Sequence, residues 1–301
     1  MLQLTGADCA AGHFNDDWSH PCGSRYYLFQ SLDMSLWDRL LERPEPDGHL
    51  VQFYDCDESL AQSAGRFLFR GFVQADGLLI IAEPQHQDLF RTYLESMRVD
   101  TVYAEERGQL LFLDARRTLD SFMRQGQPDW NLFEAAIGNA MAIVRPRAEG
   151  GSLRAYAEMV GVLWNAGQYS AAVRLEQFWN KLLGTASLSL FCGYGVDVLG
   201  QHFHGSQMDA LLCSHTHVVP GTGSSVEGAI RHAAEEILGT KAPTLDAFIK
   251  DHGNNSRAIM PRGEALVLGL RKELPDHAEA ILRRARQIHH AARQRPSRLL
   301  M

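Results

Sequence analysis

The sequence predicts an α/β protein with a mainly parallel sheet, helices on both faces of that sheet, and an all-helical C-terminal extension. Short apolar runs alternate with amphipathic segments from residue 49 to residue 219, which is typical of successive strand–helix units. The runs are largely apolar throughout, as expected for strands that helices cover on both faces. From residue 224 to residue 293 the apolar residues recur only at helical spacing.

Six apolar runs are the predicted strands, and four segments between them have the apolar periodicity of helices. The predicted strands are 49–55, 78–84, 108–116, 152–160, 188–194 and 211–219. The predicted helices between them are 57–73, 85–97, 129–144 and 168–183. In the extension, Ser224 to Glu227 form a capping box that opens one helix. The helix predicted for 276–292 places four apolar residues on one face: Ile281, Leu282, Ala285 and Ile288.

These patterns divide the chain into three parts. Residues 1–46 form an N-terminal segment with weak periodicity, which a stretch rich in Pro and Gly at 44–48 closes. Residues 47–222 form the α/β domain, and residues 223–301 form the helical extension. The N-terminal segment shows no clear helix-turn-helix pattern, so it does not predict DNA binding.

Composition narrows the function classes. The 301 residues are 45% hydrophobic and 22% charged, which suits a soluble globular protein. No apolar run approaches the ~20 residues of a membrane span, and the first residues lack the pattern of an export signal. Five scattered cysteines indicate reduced thiols. We therefore expect a cytoplasmic protein that does not act on a membrane.

The net charge of −7 is unevenly distributed. Residues 271–301 hold eight Lys or Arg against three acidic residues, so this tail carries +5 and the rest of the chain −12. An acidic body argues against nucleic acid as a direct partner. Three basic residues of the last predicted helix are candidates for binding an acidic signalling protein: Arg283, Arg284 and Arg286. The same helix can instead pack on the domain with its charges solvated.

Polar residues end most of the predicted strands. They are Tyr54, Asp55, Glu83, Asp114, Glu158 and Tyr194. In open α/β sheets, ligands bind outside the carboxyl ends of the strands, so this set predicts a polar small-molecule pocket at that edge. Each acid taken alone can equally cap the following helix or pair with an arginine.

The fourth strand adds two further polar residues to the predicted pocket. Arg154, Tyr156 and Glu158 alternate with apolar residues and therefore share one face of the strand. Three such side chains on a central strand need a ligand or a buried network to satisfy them. A structural ion pair between Arg154 and Glu158 is the alternative to a ligand site.

The turn after the first strand differs from a phosphate-binding loop. Nucleotide-binding α/β domains place a glycine-rich loop and a lysine here, but this turn is Tyr54-Asp55-Cys56-Asp57. Phosphoryl transfer needs well-placed cationic and backbone N–H groups, and no Ser-His-Asp or Cys-His spacing is recognisable. We therefore expect no tight ATP binding, no cofactor and no catalytic residues. A degenerate nucleotide-binding enzyme is kept as an alternative.

The most specific family resemblance lies in LRAYAEMVGVLWNAGQYSAAVRLEQFWNKL, residues 153–182. Together with HLVQFYD, GQLLFLDA, LSLFCGY and HTHVVP in this order, the stretch resembles the MEDS domain, the methanogen/methylotroph DcmR-type sensory domain, over about residues 47–220. The resemblance implies a RecA/KaiC-like fold that lacks the P-loop. It also implies a cytoplasmic module that senses small molecules such as hydrocarbon derivatives and is often joined to an output domain.

Cysteines and histidines provide only weak candidates for metal binding. The N-terminal set matches no zinc module, and the two H-x-H pairs are interpreted as packed or hydrogen-bonded histidines. The N-terminal set is Cys9, His13, His20 and Cys22, and the pairs are His202/His204 and His215/His217. Cys192, near a strand end, is interpreted as a small buried hydrophobe. No metal site is predicted.

The function that these observations favour is a non-enzymatic sensor or signalling regulator. A small molecule of apolar or hydrocarbon-derived character would bind at the carboxyl edge of the sheet, and the signal would pass to a protein partner. A pure protein-interaction module with a vestigial pocket is the second alternative. The sequence leaves the oligomeric state open, and a homo-oligomer is compatible with it.

Overall fold

Most strands of the described residues join into one parallel sheet. The computed structural model describes residues 36–144, 152–221, 226–239, 245–252 and 258–293. The strands are β1 (His49–Phe53), β2 (Gly77–Ala82), β3 (Leu110–Asp114), β4 (Met123–Arg124), β5 (Gln127–Pro128), β6 (Leu153–Ala157), β7 (Leu188–Tyr194) and β8 (His217–Val219). The six-stranded sheet has the order β3-β2-β6-β7-β1-β8, with every neighbouring pair parallel, and β4 and β5 form a separate antiparallel hairpin.

Helices follow the strands and then form the C-terminal region. In the described residues they are α1 (Leu36–Glu42), α2 (Asp57–Val73), α3 (Pro84–Ser96), α4 (Thr101–Glu106), α5 (Ala115–Phe122), α6 (Trp130–Val144), α7 (Met159–Asn165), α8 (Tyr169–Leu183), α9 (Ser206–Cys213), α10 (Val226–Leu238), α11 (Leu245–His252), α12 (Arg262–Glu273) and α13 (Pro275–Arg293). Pro84 opens α3, and the Asp114 carboxylate accepts a hydrogen bond from the Arg117 N–H at the start of α5. Both are ordinary helix-start signals.

The two faces of the sheet bury separate apolar clusters, because successive side chains of a strand point to opposite faces. Leu50 of β1 packs with residues of α1 to α4. Val51 and Phe53 pack with residues of α5 to α13. The C-terminal helices therefore share the core that covers one face of the sheet.

Two contacts attach the C-terminal region firmly to the α/β part. The Ile259 N–H donates to the Thr216 carbonyl at 2.8 Å, and the Val218 N–H donates to the Ile259 carbonyl at 2.8 Å. The apolar face predicted for the last helix packs as expected, with Ile281, Leu282 and Ala285 fully buried and Ile288 partly buried against the same core.

The fold class is confirmed, since the structure has a parallel sheet, surrounding helices and a C-terminal helical region. The predicted strand 211–219 is wrong in its first half. Met208, Leu211 and Leu212 have helical spacing and end α9, so the strand begins only at His217. Likewise, Met159 already belongs to α7 rather than to the fourth strand. The N-terminal Cys/His set, and Ser224 and Ser225 of the capping box, lie outside the described residues.

Candidate functional site

A buried network centred on Glu158 lies at the carboxyl edge of the sheet. The Glu158 carboxylate accepts the Tyr156 hydroxyl at 3.1 Å and the backbone N–H of Glu83, and it lies 2.6 Å from His86 Nδ1. Gly193 of β7 makes room for this arrangement, since a Cβ there would lie 2.3 Å from the Tyr156 hydroxyl oxygen. We call these groups of Tyr156, Glu158, His86 and Glu83 the Glu158 cluster.

The electrostatics of the Glu158 cluster follow from burial and from its one carboxylate. Burial and the charge of Glu158 raise the pKa of Tyr156 well above its ordinary value, and they also raise that of the neighbouring Tyr54. Burial opposes a charge on His86, but the hydrogen bond and the charge of Glu158 outweigh it and raise the pKa of His86. The cluster is therefore a carboxylate whose neighbours all donate hydrogen bonds.

The remaining acids at the strand ends each have a protein partner. The Asp55 carboxylate accepts a hydrogen bond from Arg293 at 2.5 Å, and Glu83 accepts one from Arg116 at 2.6 Å. The Asp114 carboxylate accepts the Arg117 N–H at 2.8 Å. These three residues therefore follow the alternative given above, because each caps a helix or pairs with an arginine.

Arg154 does not join the residues at the carboxyl edge. Its guanidinium donates to Asp76 at 2.9 Å, to Gln74 at 2.8 Å, and to backbone carbonyls of Leu41, Glu42 and Phe67 at 3.0 Å. These groups lie at the amino end of the strand, so the alternative of an Arg154–Glu158 ion pair is wrong. Arg154 instead links α1 and α2 to the sheet.

A second buried carboxylate, Glu176 of α8, lies on the opposite face of the sheet. The Tyr194 hydroxyl donates to its Oε1 at 2.6 Å, and His215 Nε2 lies 3.4 Å from the same oxygen. Its Oε2 lies 3.2 Å from His49 Nε2 and 3.8 Å from Cys192 Sγ. We call His49, Glu176, Cys192 and His215 the Glu176 cluster.

Burial is complete in the Glu176 cluster. Burial alone would raise the pKa of Glu176, but His215 and His49 lower it below its ordinary value. Burial and the neighbouring His49 lower the pKa of His215. Burial and the charge of Glu176 raise the pKa values of Cys192 and Tyr194. Glu176 is therefore held as a carboxylate among groups that resist ionisation.

Glu176 was not among the residues predicted from sequence, and His215 was predicted only as a packed or hydrogen-bonded histidine. The detectable signal is the apolar stripe of α8, in which Glu176 stands beside the buried residues Ala172, Leu175 and Trp179. A carboxylate inside such a stripe must have a buried partner. The H-x-H pairs do not act as pairs, because His215 joins Glu176 while His217 Nδ1 lies 3.0 Å from the Thr216 hydroxyl.

An open cleft of about 700 Å³ adjoins the carboxyl end of β7. Its walls include Trp164 and Tyr169, whose rings lie 4.7 Å apart, and Gly195, which follows Tyr194. Helix α13 closes one side with Arg283 and Arg286. Because Gly195 also lies close to the Tyr54 ring, the cleft is next to the predicted pocket residues at this edge.

Two residues that line the cleft carry a donor without a protein acceptor. The Trp164 indole Nε1 is buried without a hydrogen-bond partner, and the exposed Arg283 makes no ion pair or hydrogen bond within the part of the chain that the structure describes. The two arginines beside Arg283 are engaged, Arg284 with Glu236 at 2.5 Å and Arg286 with Asp197 at 2.6 Å. The exposed Arg283 can therefore bind an acceptor group of a ligand in the cleft, whereas the Trp164 N–H is covered by the protein.

The fold and the cleft define an α/β domain that lacks the glycine-rich phosphate loop and opens at the carboxyl edge of its sheet. Residues 48–216 match the family described as MEDS, the MEthanogen/methylotroph, DcmR Sensory domain. Because this match covers more than half of the chain, the chain belongs to the MEDS family. Searches of curated proteins and of solved structures found no significant match. No helix in the described ranges has the length and apolar character of a membrane span.

Proposed function

We propose that this MEDS-family chain is a non-enzymatic cytoplasmic signalling regulator that binds a small organic molecule in the cleft beside Gly195. Membership in a sensory-domain family supports a sensory role. The observation that carries the ligand site is the exposed Arg283 guanidinium, unpaired within the described residues, in a cleft walled by Trp164 and Tyr169 at the edge where α/β sheets bind ligands.

The cleft chemistry favours a ligand with an apolar body and one acceptor or acidic group. The Trp164 and Tyr169 rings offer apolar area, which suits a hydrocarbon-derived compound. The Arg283 guanidinium is a charged donor, so it fits a carboxylate or a carbonyl oxygen. The groups at Tyr54 and the Glu158 cluster would then form the polar wall behind this site rather than contact the ligand first.

Helix α13 is the element proposed to carry the signal. Its Arg283 and Arg286 line the cleft, and its other face packs in the shared core through Ile281 and Leu282. A ligand that binds Arg283 therefore contacts a helix whose position depends on the core. A signalling partner that uses Arg284 or Arg286 would have to compete with Glu236 or Asp197 for them.

The contacts at the β1–α2 turn favour a sensor over a nucleotide-binding enzyme. Arg293, the last residue of α13, binds the Asp55 carboxylate and contacts the Cys56 thiol. A phosphate at this turn would meet Asp55, Asp57 and Glu58 in place of a lysine and free N–H groups. We expect no heat of MgATP binding in a calorimetric titration at micromolar protein.

A binding screen with matched arginine variants tests the proposal. The probes are short-chain carboxylic acids, alcohols and aldehydes, ranked by thermal shift and then titrated by calorimetry. Arg283→Ala is expected to weaken the best probe by about tenfold or more, because it removes the charged donor to it. Arg284→Ala, one residue away and paired outside the cleft, is the control and should change affinity little. Equal loss in Arg283→Ala and Arg284→Ala, or no loss in either, contradicts this site.

A further inference from the structure

The Glu176 cluster has the composition of a transition-metal site. Two imidazoles, one carboxylate and one thiol converge from β1, α8, β7 and the turn after α9. All four side chains are buried, and their donor atoms lie within 4.8 Å of one another. We propose that the Glu176 cluster binds one divalent transition-metal ion of the zinc type. This site is separate from the cleft and does not depend on the function proposed for it.

Three distances within the cluster are close to those of a tetrahedral site, and all four donor atoms lie within 4.8 Å of one another. A zinc ion with bonds of about 2.0–2.3 Å holds its donor atoms about 3.3–3.8 Å apart. His49 Nε2 lies 3.2 Å from Glu176 Oε2 and 3.4 Å from Cys192 Sγ. His215 Nε2 lies 3.4 Å from Glu176 Oε1. Four donors from the protein complete the coordination, as in closed structural sites.

Both imidazoles are oriented as metal ligands are. His49 Nδ1 lies 2.9 Å from Asn180 Oδ1, and His215 Nδ1 lies 2.8 Å from the Leu211 carbonyl. The Asn180 amide is fixed in this orientation, because its Nδ2 donates to the Ser214 carbonyl at 2.9 Å. Each Nδ1 therefore carries the proton, and each Nε2 presents a lone pair to the centre of the cluster.

Without a cation, the centre of the cluster would place the histidine lone pairs against the carboxylate oxygens, which are all hydrogen-bond acceptors. His215 Nε2 is buried without a hydrogen-bond partner although it lies 3.4 Å from a Glu176 oxygen. The His49 lone pair faces the other Glu176 oxygen at 3.2 Å. Protonating both imidazoles would bury two cations on one carboxylate. Protonating His215 alone would leave the His49 lone pair with only the weak Cys192 S–H donor, 3.4 Å away. A divalent ion satisfies both lone pairs and the carboxylate at once.

The ligand types select the metal. Imidazole and thiolate ligands suit zinc and its neighbours in the first transition row, whereas magnesium and calcium require oxygen ligands. Binding would replace the Cys192 S–H bond by a sulfur–metal bond and release the proton to solvent. Such an ion would hold α8 and the turn before β8 to the centre of the sheet.

Elemental analysis of the full chain is the first test. Protein purified from zinc-supplemented cells without chelator is expected to contain about one zinc per chain. Refolding in cobalt should give the visible bands of a tetrahedral site and a thiolate-to-cobalt charge-transfer band. A folded chain that retains less than about a tenth of an equivalent, and binds neither zinc nor cobalt on refolding, overturns the proposal.

Matched variants locate the site. Cys192→Ser should abolish the thiolate-to-cobalt band, whereas Cys213→Ser, at the exposed end of α9, should keep it. His217→Ala, outside the cluster, should keep the full zinc content that His215→Ala loses. Asn180→Ala leaves all four ligands and therefore tests binding even where a ligand variant does not fold. It should weaken zinc binding by about 10- to 100-fold. A cobalt band that survives Cys192→Ser, or zinc affinity unchanged in Asn180→Ala, contradicts the assignment.

Discussion

The Glu158 and Glu176 clusters contain similar residues but are built differently. Each has a buried carboxylate, 2% exposed for Glu158 and fully buried for Glu176, with a tyrosine hydroxyl and histidine nearby. Around Glu158 the neighbours are donors, including the backbone N–H of Glu83. Around Glu176, two histidines have their Nδ1 atoms held by acceptors and turn their lone pairs inward. The donors of the Glu158 cluster satisfy its carboxylate, and the proposed metal ion would satisfy the lone pairs of the Glu176 cluster.

The comparison shows that the direction of hydrogen bonds matters more than residue type. A histidine whose Nδ1 faces a carboxylate donates to it and can hold a charge, as His86 does. A histidine whose Nδ1 faces a carbonyl offers its Nε2 as a ligand, as His215 does. Zinc should therefore stabilise the Glu176 cluster and leave the Glu158 cluster unaffected, and four further predictions test the contrast.

The largest effect is expected for Glu158→Ala. The substitution leaves His86, the Tyr156 hydroxyl and the Glu83 N–H without their acceptor, and breaking such a buried pair costs about 3–5 kcal/mol of unfolding free energy. The loss should be the same in zinc and in chelator, because Glu158 binds no metal. Chemical denaturation in both buffers measures it, with Glu134→Ala at an exposed position of α6 as the control. A zinc-dependent loss in Glu158→Ala would remove the distinction between the clusters.

Glu264 of α12 is a third buried carboxylate, and it differs from Glu158 and Glu176 because no cation pairs with it within the described ranges. Burial raises its pKa to about 7. Its protonated form is stable in the folded chain, so this contribution is full below the ordinary pKa near 4.5 and is lost as the pH rises through about 7. The free energy of unfolding should fall by an amount on the order of 3 kcal/mol across this window.

Glu264→Gln should flatten this part of the pH profile, because a neutral amide does not titrate. Denaturation curves from pH 4.5 to pH 8 check the expectation. Glu273→Gln, at the exposed end of the same helix, serves as the control and should keep the wild-type profile. A profile that stays unchanged in Glu264→Gln would show that Glu264 is ionised in the folded chain.

His86 should produce a smaller pH dependence with the same sign. Burial opposes its charge, but Glu158 outweighs burial and raises its pKa above the ordinary value near 6.5. The stability that this raised pKa contributes is therefore full below about 6.5 and is lost as the pH rises through the folded value. His86→Gln should remove about 1.5–3 kcal/mol at acidic pH, the usual contribution of a hydrogen bond to a charged group, and less at alkaline pH.

NMR titration of the His86 ring gives an independent measure of the same quantity. The exposed His232, which pairs with Glu236 at 3.1 Å on the surface, provides an internal comparison in the same spectra. A His86 pKa below that of a free histidine would mean that burial exceeds the effect of Glu158.

The carboxyl edge and the shared face of the fourth strand could be predicted from sequence, but the partners could not. Alternation correctly placed Arg154, Tyr156 and Glu158 on one face. It did not exclude an Arg154–Glu158 pair, although four residues of strand separate their Cα atoms by roughly 13 Å. That spacing leaves Arg154 at the amino end, where Asp76 lies.

The Glu176 cluster was beyond local pattern analysis because its members are far apart in the chain. His49 and His215 are separated by 166 positions, and the parallel pairing of β1 with both β7 and β8 brings them together. Their ring centroids lie 4.1 Å apart. Only the carboxylate in the apolar stripe of α8 gave a local signal, and its partners depend on strand order, which a single sequence leaves undetermined.

The smallest effect is expected from removing the tyrosine hydroxyl that donates to each buried carboxylate, Tyr156 for Glu158 and Tyr194 for Glu176. Tyr156→Phe should cost about 1 kcal/mol, because its 3.1 Å hydrogen bond is one of several that Glu158 accepts. In metal-free protein Tyr194→Phe should cost more, about 2 kcal/mol, because its 2.6 Å hydrogen bond is the shortest that Glu176 accepts. Zinc should reduce the Tyr194→Phe cost, since the ion takes over the charge of Glu176, and leave the Tyr156→Phe cost unchanged. Denaturation of both variants in zinc and in chelator measures the four values, and equal costs in both buffers for Tyr194→Phe would contradict a metal beside Glu176.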